Sequence, residues 1–278
     1  MRFKIVSDSA SNVLHLRETD YSCVPLKIVT TQAEYVDDEA LNVRSMVDQI
    51  KITKGKSGTS CPNIYDWIQS FGCANRVFAV TITGNLSGSA AAAKEAAREY
   101  EETNPGAKVY VIDSLSAGPE MALIIEKLQQ WIGEGLPFEQ IVEKIEAYRR
   151  NTHLIFSLES LTNLARNGRC STAVAKIAGV LGIRVVGVAS AQGTLEPLHK
   201  CRGEKKALEA ILHIMQERGF DNGSVRIAHC FNPDAADRLR KMILSDFPNS
   251  SILIEPTTGL CSFYAEEGGL MIGFESNS

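Results

Sequence analysis

No run of apolar residues in this 278-residue chain approaches the roughly 20 needed to span a bilayer, so no integral membrane segment is expected. The opening Met1-Arg2-Phe3-Lys4 leads straight into a strand-like segment rather than a signal peptide, which makes the cytoplasm the expected location. Positive charge is not in excess either. Lys and Arg total 29 against 33 Asp and Glu, a net charge of −4, whereas neutralising phosphates needs a basic surface. Nucleic acid is therefore not expected as the main partner. The seven cysteines include no pair at CxxC spacing and are odd in number, so neither a zinc site nor a disulfide framework is expected. They read as buried free thiols in a reducing compartment.

Motifs for bond-breaking chemistry are missing as well. The five histidines, His15, His153, His199, His213 and His229, show no HExxH and no i, i+4 pairing, so no metal is expected. Gly55-Lys56-Ser57 is not a phosphate loop, because position 50 is Ile50 where a glycine is required. Gly84-Asn85-Leu86-Ser87-Gly88 lacks the spacing of a serine nucleophile elbow.

What is present is ordinary globular composition, 44% apolar and 22% charged, over a length suited to about two domains. Short β-branched runs at Phe3–Val6, Val24–Val29, Val77–Ile82 and Val109–Ile112 read as buried parallel strands. Helix-period segments lie between and after them: Val43–Ile52, Ile64–Phe71, Ser89–Tyr100, Met121–Ile132 and Ile141–Arg150. Asn42 suits the N-cap of the first, and Pro62 suits the opening turn of the second. This alternation predicts an α/β fold with an N-terminal doubly wound parallel sheet, in which ligands bind beyond the carboxyl ends of the strands.

After about residue 150 the pattern changes. Strand His153–Leu158 is followed by helical Leu161–Ala165, a turn at Asn167-Gly168-Arg169 and a short helix over Val174–Leu181. Strands Arg184–Ala189 and Leu195–His199 flank a turn at Gln192-Gly193. Helix Lys205–Glu217, strand Val225–His229, helix Ala235–Leu244 and strands Ile252–Ile254 and Leu270–Phe274 complete a predicted α/β domain with a mixed sheet. The expected domains are 1–151 and 152–278, with a ligand cleft between them.

Hydroxyls recur at the predicted strand ends: Ser7-Asp8-Ser9, Thr83 to Ser89, and Asp113-Ser114. Gly84 and Gly88 permit close backbone approach, and the following helix would present free N–H groups, with the Ser87 hydroxyl beside them, to a weak anion. Asp8 and Asp113 read as loop-fixing Asx residues. Taken alone, Thr59 or Ser60 reads as a helix cap ahead of Pro62. Arg169 and Arg202, each in a turn-like segment, are basic candidates for the cleft, although either one alone is more often a solvated surface arginine.

In order along the chain, Ser7-Asp8-Ser9, Val24-Pro25-Leu26, Tyr35-Val36-Asp37, Thr59-Ser60-Cys61-Pro62, Leu86-Ser87-Gly88-Ser89, Val111-Ile112-Asp113-Ser114 and Asn167-Gly168-Arg169 resemble the DegV family of bacterial fatty-acid-binding proteins, over essentially the whole chain. The resemblance implies two α/β domains holding a long-chain fatty acid between them, and no cofactor. By motif match, the carboxylate would meet Thr59, Ser60, Ser87 and Gly88, with Ser9, Asn85, Arg169 and Arg202 as secondary candidates. Some members pass the acid to a separate fatty acid kinase subunit, which makes an acyl phosphate for phospholipid synthesis. Many members also carry a C-terminal His-x-Gly-Pro-Gly motif. The corresponding stretch here, Gly259 to Gly269, holds no histidine, and none follows His229. The expected function is thus a non-enzymatic fatty-acid carrier. The competing reading is a small-molecule phosphotransferase or hydrolase using the same cleft, because the DegV fold is similar to that of dihydroxyacetone kinase domains.

Overall fold

The computed structural model describes residues 2–53, 55–171 and 182–276. Four parallel strands, β1 (Phe3–Asp8), β2 (Tyr21–Val24), β6 (Arg76–Thr81) and β7 (Lys108–Asp113), form a sheet in the order β2-β1-β6-β7. Strand alternation divides its side chains between two cores. Val6, Val77 and Ala79 pack under α2 (Ile64–Phe71) and α3 (Ser89–Thr103). Ile5, Phe78 and Val80 pack under α4 (Pro119–Gly133) and α5 (Phe138–Tyr148). Helices on both faces make this the doubly wound sheet that the sequence predicts.

The run Val24–Val29 is not one strand. Pro25 has no N–H to offer a ladder, and the next N–H, that of Leu26, goes to the Ser9 hydroxyl at 3.0 Å. The chain therefore leaves the parallel sheet after Val24 and enters a separate antiparallel one, ordered β4-β3-β5. Its strands are β3 (Lys27–Thr30), β4 (Glu34–Val36) and β5 (Ser57–Ser60). Beneath it lie α1 (Val43–Ile52) and Phe263. Asn42 caps α1 by accepting from the Ser45 N–H at 3.0 Å, as expected. Thr59 and Ser60 cap nothing: they belong to β5, and α2 is capped by Asn63, whose side chain forms a reciprocal capping box with Asp66.

The remaining strands form a mixed sheet ordered β10-β9-β8-β13-β11-β12. They are β8 (Thr152–Leu158), β9 (Ile183–Ala189), β10 (Leu195–Arg202), β11 (Ser224–His229), β12 (Ser251–Pro256) and β13 (Leu270–Glu275), with only the β11–β12 pair parallel. One face is covered by α7 (Glu204–Glu217) and α8 (Pro233–Asp246). The other presents Leu154, Phe156, Leu158 and Met271 towards the parallel-sheet half. Two short α-helices, α6 (Thr162–Arg166) and α9 (Gly259–Ala265), and a 3-10 turn at Ser9–Ser11 complete the described elements. The helix expected over Val174–Leu181 lies outside the described residues. No described helix is long and apolar enough to cross a membrane.

Helix α4 joins the two halves. It packs on β1 and β6 on one side and on β8, β11 and β13 on the other, and every residue from Pro119 to Ile125 is buried. Within it, the Glu120 carboxyl takes hydrogen bonds from Ser116 and, at 2.8 Å, from Thr152 at the start of β8. Contact with β13 is backbone to backbone. A Cβ on Gly273 would lie 2.5 Å from the Pro119 carbonyl carbon and 2.6 Å from the Glu120 nitrogen. Gly133, exposed in the last turn of the same helix, has nothing within 4 Å of its would-be Cβ. Alanine should therefore act with opposite sign at the two positions. Gly273→Ala should destabilise by about 2 kcal/mol through overpacking, and Gly133→Ala should stabilise by roughly 0.5 kcal/mol by restricting the unfolded chain. Urea unfolding of the two variants measures both; a neutral Gly273→Ala would show that the α4–β13 contact is not tight.

Candidate functional site

Beyond the carboxyl ends of the parallel strands, between that sheet and the mixed one, lies a cavity of about 720 Å³ including its mouth. Its walls are apolar. Ile82, Leu86 and Ala117 come from the parallel-sheet half, Leu26 from the link into the small sheet, and Leu154, Phe156, Leu158 and Met271 from the mixed sheet. Helix α9 adds Leu260, Cys261 and Ala265.

Among the described residues, four polar side chains other than the Cys261 thiol line the cavity: Thr59, Ser87, Arg169 and Tyr264. The Thr59 and Tyr264 hydroxyls are 2.8 Å apart, so one proton joins them and the other is free to donate. The Ser87 oxygen accepts from the Ser89 N–H at 3.2 Å, which leaves its proton free as well. The Arg169 guanidinium donates to the Leu86 carbonyl at 3.2 Å and to its neighbour Asn167. The segments carrying these groups touch one another. A Cβ on Gly58 would lie 3.2 Å from Asn167 Oδ1, and one on Gly88 would lie 3.1 Å from Cys61 Sγ. The geometry thus collects hydroxyl and guanidinium donors in an otherwise apolar cavity.

Two carboxylates, the half-buried Asp113 and the buried Asp8, hold the Ser87 loop. Asp113 accepts from the Gly84 N–H at 3.2 Å and from the Leu115 N–H at 3.2 Å. Asp8 Oδ2 accepts from the Ser89 hydroxyl at 2.6 Å and the Ile82 N–H at 3.0 Å. Both carboxylates therefore fix loops, as the Asx reading expects, and Asp8 already occupies one side of the first turn of α3. Burial pushes the Asp8 carboxyl from 3.8 up to about 7, against the hydrogen bonds from Ser89 and Ile82 that lower it. A carboxyl raised on folding retains a proton that the unfolded chain has released, so its stabilising share is full below about pH 4 and falls as pH rises towards 7. Glu120, also raised to about 7 by burial, titrates in the same window. Asp8→Asn should flatten part of that decline, costing more stability near pH 5 than near pH 8. Urea unfolding at both values checks this; an equal cost at the two would remove Asp8 from the titration.

Of the candidates from sequence, Thr59, Ser87 and Arg169 line one cavity. The others do not. Ser60 is exposed, the next residue along β5 from Thr59 and so on the opposite face. Gly88 is the N-cap of α3. Ser9 is buried, holding Leu26. Asn85 donates to the Gln192 carbonyl at 2.5 Å, tying the Ser87 loop to the β9–β10 turn. Arg202 is exposed on β10. Sequence reasoning missed Tyr264, the one phenol in the stretch examined for a histidine. Among the described residues no group of His, Cys, Asp and Glu could hold a metal. The thiols are all free, but Cys61 and Cys73 are exposed rather than buried, because both lie at element ends on the surface.

The family model for DegV proteins matches residues 2–277. A DegV domain-containing protein of Streptococcus pneumoniae is 42% identical over 279 residues, covering 99% of each chain. Among solved structures, a DegV family protein from Eubacterium eligens loaded with heptadecanoic acid is 43% identical, with a TM-score of 0.97 over 99% of this chain and 100% of that one. The Streptococcus pneumoniae Fatty Acid Kinase (Fak) B3 protein loaded with linoleic acid is 42% identical, with a TM-score of 0.98 over the whole of both chains. From residues to fold, the chain belongs to the DegV family.

Proposed function

We propose that this protein is a non-catalytic, cytoplasmic carrier that holds one long-chain fatty acid in the cavity between residues 1–151 and 152–278 and presents it to a separate fatty acid kinase subunit. The observation that carries this reading is an apolar cavity in which Ser87 and one member of the Thr59–Tyr264 pair have protons to donate beside the Arg169 guanidinium. A carboxylate needs a few convergent donors, and an acyl chain needs apolar wall. Burying about 12 methylenes at ~0.8 kcal/mol each gives roughly 10 kcal/mol before ordering costs. The fatty acids in the two similar structures, heptadecanoic and linoleic acid, are ligands of this class. Kinase presentation draws support from the Fak B3 likeness.

Native mass spectrometry of the purified protein tests the reading: a bound long-chain acid is expected. Turnover of phosphate or acyl esters by the protein alone would overturn it in favour of an enzyme.

Ser87 is expected to donate to the ligand carboxylate. Hydrogen bonds to a charged group contribute about 1.5–3 kcal/mol, so Ser87→Ala should weaken acid binding roughly ten- to a hundredfold. The corresponding fatty alcohol should lose much less. Titrating both ligands decides: equal losses mean that Ser87 shapes the pocket without reading the charge.

Arg169 is expected to act at the cavity mouth, because it anchors the carbonyl next to Ser87 and meets no carboxylate among the described residues. Arg169→Ala should lower phosphorylation of the bound acid by the kinase more than it lowers thermal stability. A sharp fall in melting temperature with unchanged binding by the folded fraction would make Arg169 purely structural.

A further inference from the structure

Helix α9 has an unusual beginning. It is seven residues long, and Thr258 at its N-cap makes no side-chain cap to the helix. The first N–H groups are instead taken by Asp37, from the loop after β4. Asp37 Oδ1 accepts from the Gly259 N–H at 2.6 Å, and Oδ2 accepts from the Leu260 N–H at 3.0 Å. The approach depends on Gly259, since a Cβ there would lie 2.7 Å from Asp37 Oδ1 and 2.4 Å from Leu41 Cδ2. Asp37 is only 1% exposed, and burial raises its carboxyl against the donors that hold it.

Asp37 is itself fixed to the small sheet. Its N–H donates to the Leu26 carbonyl at 2.9 Å, just before β3. Thr59 belongs to the same sheet, paired with Ile28 across β3–β5. Both partners in the 2.8 Å hydroxyl pair therefore take their place from one three-stranded frame: Thr59 through its ladder, and Tyr264 through α9 and Asp37. We infer that Asp37 is a positioning residue that sets the Thr59–Tyr264 hydroxyl pair, and with it head-group recognition, by holding the start of α9. The head-group part of this inference rests on the fatty-acid reading above; the positioning part does not.

Helix α9 has other anchors, so loss of Asp37 should shift it rather than unfold it. Thr258 donates to Asn12 Oδ1 from its N–H at 3.1 Å and its hydroxyl at 2.9 Å, and Asn163 donates to the Phe263 carbonyl at 2.8 Å. Asp37→Asn keeps the shape but offers one acceptor oxygen where two are used.

Two measurements test the inference. In ligand-free protein carrying carbon-13 tyrosine, the ring signals of Tyr264, assigned by their loss in Tyr264→Phe, should move in Asp37→Asn. Gly259→Ala, which displaces the same contact while keeping the carboxylate, should move them too. Unmoved signals in both variants overturn the positioning role, whatever the ligand. The second measurement is a double-mutant cycle on oleic acid and oleyl alcohol. Asp37→Asn should weaken acid binding about tenfold, and the alcohol much less. In a Tyr264→Phe background it should add almost nothing. Independent, multiplying losses would show that Asp37 does not act through Tyr264. Should Tyr264→Phe alone leave acid binding intact, the head-group role of Tyr264 fails, while the ring signals still decide the positioning.

Discussion

The spacing between the two larger sheets is set by one contact, the first turn of α4 lying backbone to backbone on Gly273 of β13. Because α4 is buried from Pro119 to Ile125, it cannot slide without opening apolar surface on both sides. The parallel sheet therefore stands at a fixed distance from the mixed one. The cavity lies beside this contact, lined there by Ala117, just before α4, and Met271, on β13. Its shape follows from the stacking of rigid layers.

Charge is arranged around that space in an ordered way. Among the described residues no carboxylate lines the cavity. Asp8, Asp37 and Asp113 lie outside the lining and accept from protein N–H and O–H groups, Asp8 through Oδ2 and the other two through both oxygens. Burial raises the Asp8 and Asp37 carboxyls, against the donors that hold them. Among the described residues, the donors left facing the cavity are hydroxyls and the Arg169 guanidinium. Such a site suits a single carboxylate at the end of an apolar chain.

Polar links between the halves are secondary to this packing. Arg226 pairs with Glu126 of α4, and Glu275 accepts from the Tyr148 hydroxyl at 2.9 Å. Arg226 and Glu126 are 20% and 32% exposed, and partly exposed pairs contribute only about 0–1 kcal/mol. They fix orientation, while the apolar faces around α4 supply most of the stabilisation.

Sequence alone determined the parts that depend on local period and local chemistry. The doubly wound sheet was legible because Ile5, Val77–Val80 and Ile112 are short β-branched or aromatic runs between amphipathic helices, and Asn42 announces α1 by its own side chain. Thr59, Ser87 and Arg169 were legible through ordered motifs. Tertiary structure decided the rest. Pro25 splits an apparent strand only because the Ser9 hydroxyl waits to take the next N–H. Ser60 drops out of the site because β5 turns alternate residues to opposite faces, and a strand cannot be told from a cap in Gly58-Thr59-Ser60 without β3 beside it. Helix α9 and Tyr264 were invisible because the cap of that helix lies 222 residues upstream, in Asp37. A local pattern carries information only about hydrogen bonds made locally, and this site is assembled from bonds that close across the whole chain.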